Sequence, residues 1–448
     1  MFLPTLPLYI RDVGGSPADV GRVIGGFTIG LLLFRPYLAS MADRVGRKPV
    51  LLLGITAVAL APLGYRLTPR LGLLFGVRIF HGISVAGVTL AYSALVADIA
   101  PLKVRAEVLS YMSLTTPTGM SLGPALGSTL LDRAGYRPLF LTATLLGLLS
   151  FGLALQVKEA ARPQASTAEQ ARQVAASPTS TSAELPSRNR RSRRPRAGFW
   201  QYLQSPAIRV PTLMMLLIGL AFGTLMTFTA LYLQAENATI TLLLPWIQLP
   251  LNGDRFAIGI APQTLVMNGG LFFSAAAMTG FVLRFVAGVM SKRLGMGLMM
   301  SFGIAIYGVA MAILALARSP EAFLAAAIIE GAGFGLLIPM LSVLLANRSE
   351  SAQRGRIFGI CLLGLDLGGA IAAPLFGQIA NSLGYRPIFA IGSAMVFAAL
   401  GLFVTRANAT LGESLRFALG QGPDGYALPE ATDSSGAAIA SPRPAPST

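Results

Sequence analysis

Histidine and cysteine occur once each in the 448 residues, as His81 and Cys361. A lone cysteine excludes an internal disulfide, and no Cys/His cluster offers metal-ligand spacing, so neither a metal nor a cofactor is expected. Charge is scarce as well: 12% of residues are Asp, Glu, Lys or Arg, 54% are hydrophobic, and mean hydropathy is +0.64. That balance excludes a disordered chain and leaves more apolar surface than a soluble core of this size can hide. The apolar runs do not alternate with polar residues, which excludes a spanning β-barrel. A basic leader and a small-residue cleavage site are both missing from residues 1–10, so no cleavable signal peptide is expected.

What the sequence does have is long apolar runs. They fall at about 20–41, 50–68, 71–97, 107–131, 138–157, 210–233, 268–290, 297–317, 321–345, 357–380 and 386–405, eleven full spans. Each is close to the roughly 20 residues a helix needs to cross a bilayer. Residues 1–10 supply only half that length and end at Arg11 and Asp12, which reads as the exit half of a twelfth helix. An in-frame apolar stretch upstream of Met1 is therefore expected.

Between the spans lie segments of different character. Residues 158–199 are rich in Ala, Ser, Thr, Pro and Arg without apolar periodicity, and should be a disordered linker. Its Arg188–Arg196 stretch holds six arginines, which either touch anionic lipid headgroups or act as a topology signal in a solvated linker, the second being favoured. Pro245, Pro250 and Pro262 interrupt a loop at about 234–266, expected to lie on the surface or re-enter the membrane. The tail after Arg406 reads as loose. The resulting domain plan is an N-terminal helical bundle at 1–157, a basic linker at 158–209, a second bundle at 210–405 and a tail at 406–448.

The net charge of +16 sits in loops rather than on a folded basic face, which argues against nucleic acid. One set of alternate loops, with the linker and tail, holds 23 Lys and Arg against 9 in the other set. Without the linker the comparison is still 13 against 9. Cytoplasmic loops carry the excess, so linker and C-terminus are expected on the cytoplasmic side of an inner membrane.

A repeat runs through the chain at a constant offset of 249 residues. Arg35 and Gly46 recur as Arg284 and Gly295, Gly82 as Gly331, Arg105 as Arg354, Gly119 as Gly368, and Tyr136-Arg137-Pro138 as Tyr385-Arg386-Pro387. Two copies of one six-helix unit are implied, with a substrate path near the bilayer midplane at their interface.

Ala39-Ser40-Met41-Ala42-Asp43-Arg44-Val45-Gly46-Arg47-Lys48 resembles the G-x-L-A-D-R-x-G-R-R signature of the major facilitator superfamily, with Ala39 in place of the first glycine. Arg78-Ile79-Phe80-His81-Gly82 resembles that family's fourth-helix motif, and Gly119, Gly123, Pro124 and Gly127 its antiporter motif, with Ser128 in place of the last glycine. Asp98, Pro101 and Arg105 fit the loop between those helices. The resemblance implies the major facilitator fold, an all-α polytopic membrane protein of two six-helix bundles related by a pseudo-two-fold repeat. Its nearest branch is bacterial efflux permeases. Asp43, Arg44, Gly46, Arg47, Asp98 and Arg105 then become a conformational latch, in which Gly46 allows a tight turn and Asp43 accepts hydrogen bonds. Lys292 stands where Asp43 would recur, so the latch is asymmetric.

Ionisable groups inside a bilayer cost about 2.5–3.5 kcal/mol each on insertion scales, so Arg35, Arg78, His81, Arg284, Glu330 and Asp366 each need a reason. Arg35 and Arg284 are placed to snorkel toward headgroups. Arg78 and His81, three apart, share a helix face. His81 suits proton exchange or a neutral hydrogen bond within the bundle. Glu330 is its repeat counterpart and could switch protonation or sit in a static ion pair with Arg78. Asp366 has a depth comparable to Arg35, and the two are expected to pair across the halves; a local hydrogen bond is the alternative. The glycines at 119, 123 and 127 form a bare stripe that packing alone explains, and Pro124 adds a kink.

The expected function is secondary transport, proton-coupled export of a small molecule by a monomer in the lipid bilayer. Uptake by symport and a ligand sensor of transporter shape are the alternatives. An enzyme is not expected, since no nucleophile and base stand together.

Overall fold

The computed structural model describes residues 1–67, 69–99, 108, 112, 115–157, 199–236, 239–248, 257–350 and 353–428, with backbone alone at Asp43, Ser93, Ala94, Val96, Ala97, Asp98, Ile99, Pro117, Phe199, Trp200, Lys292, Gly355 and both strands. The helices are α1 (Phe2–Asp12), α2 (Pro17–Arg44), α3 (Arg47–Leu67), α4 (Leu71–Ile99), α5 (Thr115–Ala134), α6 (Tyr136–Gln156), α7 (Phe199–Gln204) and α8 (Pro206–Glu236). After strands β1 (Thr239–Gln248) and β2 (Ala257–Val266) come α9 (Gly269–Leu294), α10 (Met296–Leu316), α11 (Pro320–Asn347), α12 (Arg354–Leu383), α13 (Tyr385–Arg406) and α14 (Leu411–Ala418). Ten of these helices, among the described residues, are long and apolar enough to cross a membrane. The expected span at 107–131 corresponds to α5, which begins at Thr115, contains three glycines and two prolines, and falls short of that measure. Leu145, Leu149 and Leu153 form a stripe along α6 that is 58–64% exposed, a surface only lipid can solvate.

Local chemistry sets the helix ends. Ser16 and Asp19 form a reciprocal capping box at the start of α2, with Pro17 in the first turn. Asn268 and Ser319 cap α9 and α11. Gly46, Gly135, Gly295 and Gly384 separate successive helices with φ of 138°, 79°, 85° and 83°, a region that disfavours side chains.

The 249-residue offset reappears in three dimensions. Shifting α3 by it gives the bounds of α10, and shifting Tyr136–Gln156 gives Tyr385 to Thr405 within α13. Packing follows: α2 lies on α4 as α9 lies on α11, and α3 bridges α4 and α6 as α10 bridges α11 and α13. A methyl group on Gly82 would overlap the Phe27 carbonyl, and one on Gly331 the Ala276 carbonyl, both pairs being equivalent at that offset. Among the described residues the two largest seams between the copies are α2 on α12 and α5 on α9, and α1 packs on α8 beside them. Close backbone approaches in these seams, Gly21 and Gly377 with each other and Gly270 with Pro124 and Ser128, lie toward the end of the bundle that carries Asp12.

Two expectations are corrected. Residues 239–248 and 257–266, expected as a proline-interrupted loop, pair as an antiparallel hairpin, with Thr239 opposite Val266 and Gln248 opposite Ala257. A two-stranded sheet has only edges, which is where proline is tolerated. The segment after Arg406 is not loose up to Leu428. It forms α14, packs Phe417 against Phe403, and is clamped by Arg348, which donates to Asp424 through Nε and Nη2, to the Ala207 carbonyl through Nη1 and to the Ala407 carbonyl through Nη2.

Candidate functional site

The α2–α12 seam carries an ion pair deep in the bundle. Arg35 Nη1 lies 3.1 Å from Asp366 Oδ2, with side chains 30% and 32% exposed. Arg35 sits nine residues from the end of α2 and Asp366 twelve from the start of α12. The pair therefore lies roughly 14–18 Å in from the Gly46 end. Neither arginine nor carboxylate is left alone there.

His81 is 8% exposed and enclosed by the rings of Phe2, Phe27 and Tyr65 at 5.5–5.9 Å. Its Nδ1 is 2.8 Å from the Tyr65 hydroxyl and 3.4 Å from Arg78 Nη1. A guanidinium can only donate, so Nδ1 accepts, and the ring is the neutral Nε2–H tautomer. Tyr9 in turn donates to the Tyr65 carbonyl at 2.9 Å. Arg78 does not pair with Glu330; it lies over the Phe27 ring at 4.5 Å, with a buried Nε that has no partner.

Glu330, on α11, is 4% exposed and makes no hydrogen bond or ion pair among the described residues. It borders a cavity of about 60 Å³ between the copies, with Leu3 and Met120 on one side and Phe222, Met226, Phe273, Phe281, Arg284 and Phe334 on the other. Phe222 and Phe334 stack at 4.6 Å with their planes 8° apart. Arg284 Nε is buried there without a partner. Behind the cavity wall the ring of Tyr307 packs on Phe334, and its buried hydroxyl has no partner either. Arg284 is only half-buried, yet it does not pair as Arg35 does. A larger cavity of about 370 Å³ lies between α2, α4 and α12. Its charged residues, Asp19 and Arg22, satisfy each other at 3.0 Å, so the smaller cavity, with its unsatisfied polar groups, is the stronger candidate.

The other expected site residues divide. Gly46 makes the turn after α2, and Arg44 and Arg47 flank it. The side chains of Asp43 and Asp98, and Arg105 altogether, lie outside the described residues. Of the glycine stripe, Gly123 and Gly127 face the Met1 backbone, while Gly119 faces open space; Pro124 reaches Gly270 through its carbonyl. Phe222, Phe334, Tyr65 and Tyr307 went unrecognised in the sequence, because aromatic residues are common in apolar spans and only packing brings these together.

Comparison with known proteins settles the family. The Major Facilitator Superfamily model matches residues 1–249 and 235–421. The chain belongs to the major facilitator superfamily. This major facilitator protein is 27% identical over 151 residues to Quinolone resistance protein NorA of Staphylococcus aureus (strain N315), covering 34% of this chain and 39% of that one. It is 31% identical over 127 residues to Multidrug resistance protein 2 of Bacillus subtilis (strain 168), covering 28% and 32%. The matches thus span about two fifths or less of those relatives' lengths. Among solved structures, the nucleoside transporter NupG aligns with TM-score 0.63 at 13% identity over 90% of this chain and 94% of that one. A D-xylose-proton symporter aligns with TM-score 0.63 at 14% identity over 90% and 92%. These two likenesses show the fold alone. The family is one of membrane carriers, and the chain is related to its bacterial drug-efflux permeases.

Proposed function

We propose that the chain is a secondary active transporter that exports a small amphipathic molecule by alternating access, in exchange for protons. The observation that carries this reading is Glu330: a buried carboxyl with no hydrogen bond or ion pair among the described residues, bordering a cavity made by both copies. Burying an unpaired charge is costly, so this carboxyl has reason to bind either a proton or a cationic group, and exchange of one for the other is antiport. At about 60 Å³ the cavity is well below the roughly 300 Å³ of pockets that bury a drug-sized ligand. Substrate entry therefore requires the copies to separate, and the Arg35–Asp366 pair is the contact that opens when they do.

Lys and Arg bias supports an orientation with the Gly46 end, the linker and the C-terminus in the cytoplasm. The Gly46 turn, with Arg44 and Arg47, then forms the cytoplasmic latch together with Asp43, Asp98 and Arg105. Resistance proteins among the relatives favour export over uptake. The test is flux in proteoliposomes: compounds that dissipate an imposed pH gradient are substrates, and Glu330→Gln should abolish that dissipation. Inward substrate movement with protons would replace antiport by symport, and binding without any counterflow would leave a ligand sensor.

A further inference from the structure

The duplicated fold is unequal in one respect that bears on the ligand. Arg35 and Arg284 are equivalent at the 249-residue offset, and so are the seams they face, α2 on α12 and α9 on α5. On the first seam Arg35 is neutralised by Asp366. The equivalent of Asp366 on the second seam is position 117, which is a proline. Duplication supplied the cation twice and the acid once. Arg284 accordingly has no ion pair or hydrogen bond among the described residues, and its Nε is buried without a partner. Retaining a cation in this state is costly unless something else brings the anion.

Arg284 and Glu330 border the same cavity. Gly331 packs on Ala276 and Gly335 on Gly280, so α9 and α11 run side by side in register. Arg284 lies about eight residues beyond the level of Glu330, or roughly 12 Å along the bundle. Between them stand Phe281 and the stacked rings of Phe222 and Phe334. A cation at one pole, a carboxyl at the other and flat apolar walls between them describe the complement of a particular molecule.

We infer that this cavity, widened when the copies separate, takes an aromatic zwitterion, its carboxylate on Arg284 and its ammonium on Glu330, with the ring system against Phe222 and Phe334. This rests on the transport reading and narrows its substrate class. Arg284 is suited to the anion because a guanidinium can meet a carboxylate with two parallel N–H donors. A purely cationic compound would leave Arg284 as it is, and would gain only the Glu330 and ring contacts.

The experiment uses the full-length protein in lipid nanodiscs and isothermal titration with three rigid probes: 4′-(aminomethyl)biphenyl-4-carboxylic acid, its methyl ester, and biphenyl-4-carboxylic acid. The zwitterion should bind wild type at least roughly tenfold more tightly than either other probe, the size of a charge-assisted hydrogen bond. Arg284→Gln should weaken the zwitterion to the level of the ester and leave the ester within about twofold, and Arg284→Lys should restore part of the loss. Glu330→Gln should weaken the zwitterion and the ester alike. Equal affinity of wild type for zwitterion and ester, or equal weakening of both by Arg284→Gln, overturns the assignment. If Arg284→Gln does not fold, the wild-type comparison and Arg284→Lys still decide it. Binding is read without flux, so intact zwitterion preference in a protein that moves nothing would defeat transport alone. Gradient-driven export with no carboxylate preference would defeat this inference alone.

Discussion

Arg348 Nη2 lies 2.8 Å from Asp424 Oδ1, with the two side chains 0% and 4% exposed, and this pair ties the turn between α11 and α12 to the C-terminal segment. The same guanidinium reaches Ala207 at the start of α8 and Ala407 after α13, so one side chain joins four pieces of chain. Removing the acid leaves a buried cation, a change that typically costs about 3–5 kcal/mol. Asp424→Ala should therefore release residues 407–428, seen as faster limited proteolysis in that segment of the otherwise intact protein. Unchanged cleavage would mean that α14 and Tyr426 hold the segment without the pair.

The Arg35–Asp366 pair is different in kind, because both side chains are about one-third exposed. Its contribution to stability should be small, about 1 kcal/mol or less. If it opens and closes with the copies, its contribution to turnover is larger. Asp366→Asn should keep the melting midpoint in detergent within a few degrees and cut proteoliposome flux at least about tenfold, or roughly 1.4 kcal/mol of barrier. Exchanging the two residues, Arg35→Asp with Asp366→Arg, should recover part of the flux. Full activity in Asp366→Asn would refute a role in coupling the copies.

Glycines that look alike in sequence differ in what surrounds them. An added methyl at Gly82 or Gly331 overlaps a carbonyl of the neighbouring helix, whereas one at Gly119 meets nothing within 4 Å. Gly82→Ala and Gly331→Ala should each destabilise by about 1–3 kcal/mol, as overpacking does. Gly119→Ala should be neutral or stabilising by up to about 1 kcal/mol through helix propensity. Melting in detergent ranks them, and a Gly119→Ala loss as large as the Gly82→Ala loss would contradict the packing described.

This contrast also marks where sequence reasoning reaches. The helices, the turn at Gly46 and the meeting of Arg35 with Asp366 could be read in advance, because charges are conspicuous in apolar runs and the repeat fixes relative depth. The β1–β2 hairpin could not, since Pro245 and Pro262 read as breaks and only pairing shows that both strands are edges. The docked segment 407–428 was hidden for a similar reason. Its glycines and prolines suggest looseness, while its anchor, Arg348, lies far away in sequence and looks like an ordinary loop arginine. The stacking of Phe222 on Phe334 joins α8 to α11, a contact no local pattern encodes.

His81 and Glu330 occupy equivalent positions in the two copies, yet their surroundings assign them different work. His81 Nδ1 accepts from Tyr65 and Arg78 inside a ring of aromatic side chains, while Glu330 has no hydrogen-bond partner among the described residues. A histidine held in this way orients Arg78 and Tyr65, and an amide oxygen can accept the same bonds. His81→Gln should therefore leave the pH profile of transport in place, with flux reduced by no more than about fivefold. Tyr65→Phe should cost about 1 kcal/mol of stability, the worth of one buried hydrogen bond, with the profile again unmoved. Glu330→Gln, by contrast, should flatten the pH dependence of flux, because the amide cannot take up a proton in place of substrate. A pH profile shifted by His81→Gln and retained by Glu330→Gln would move proton coupling from α11 to α4.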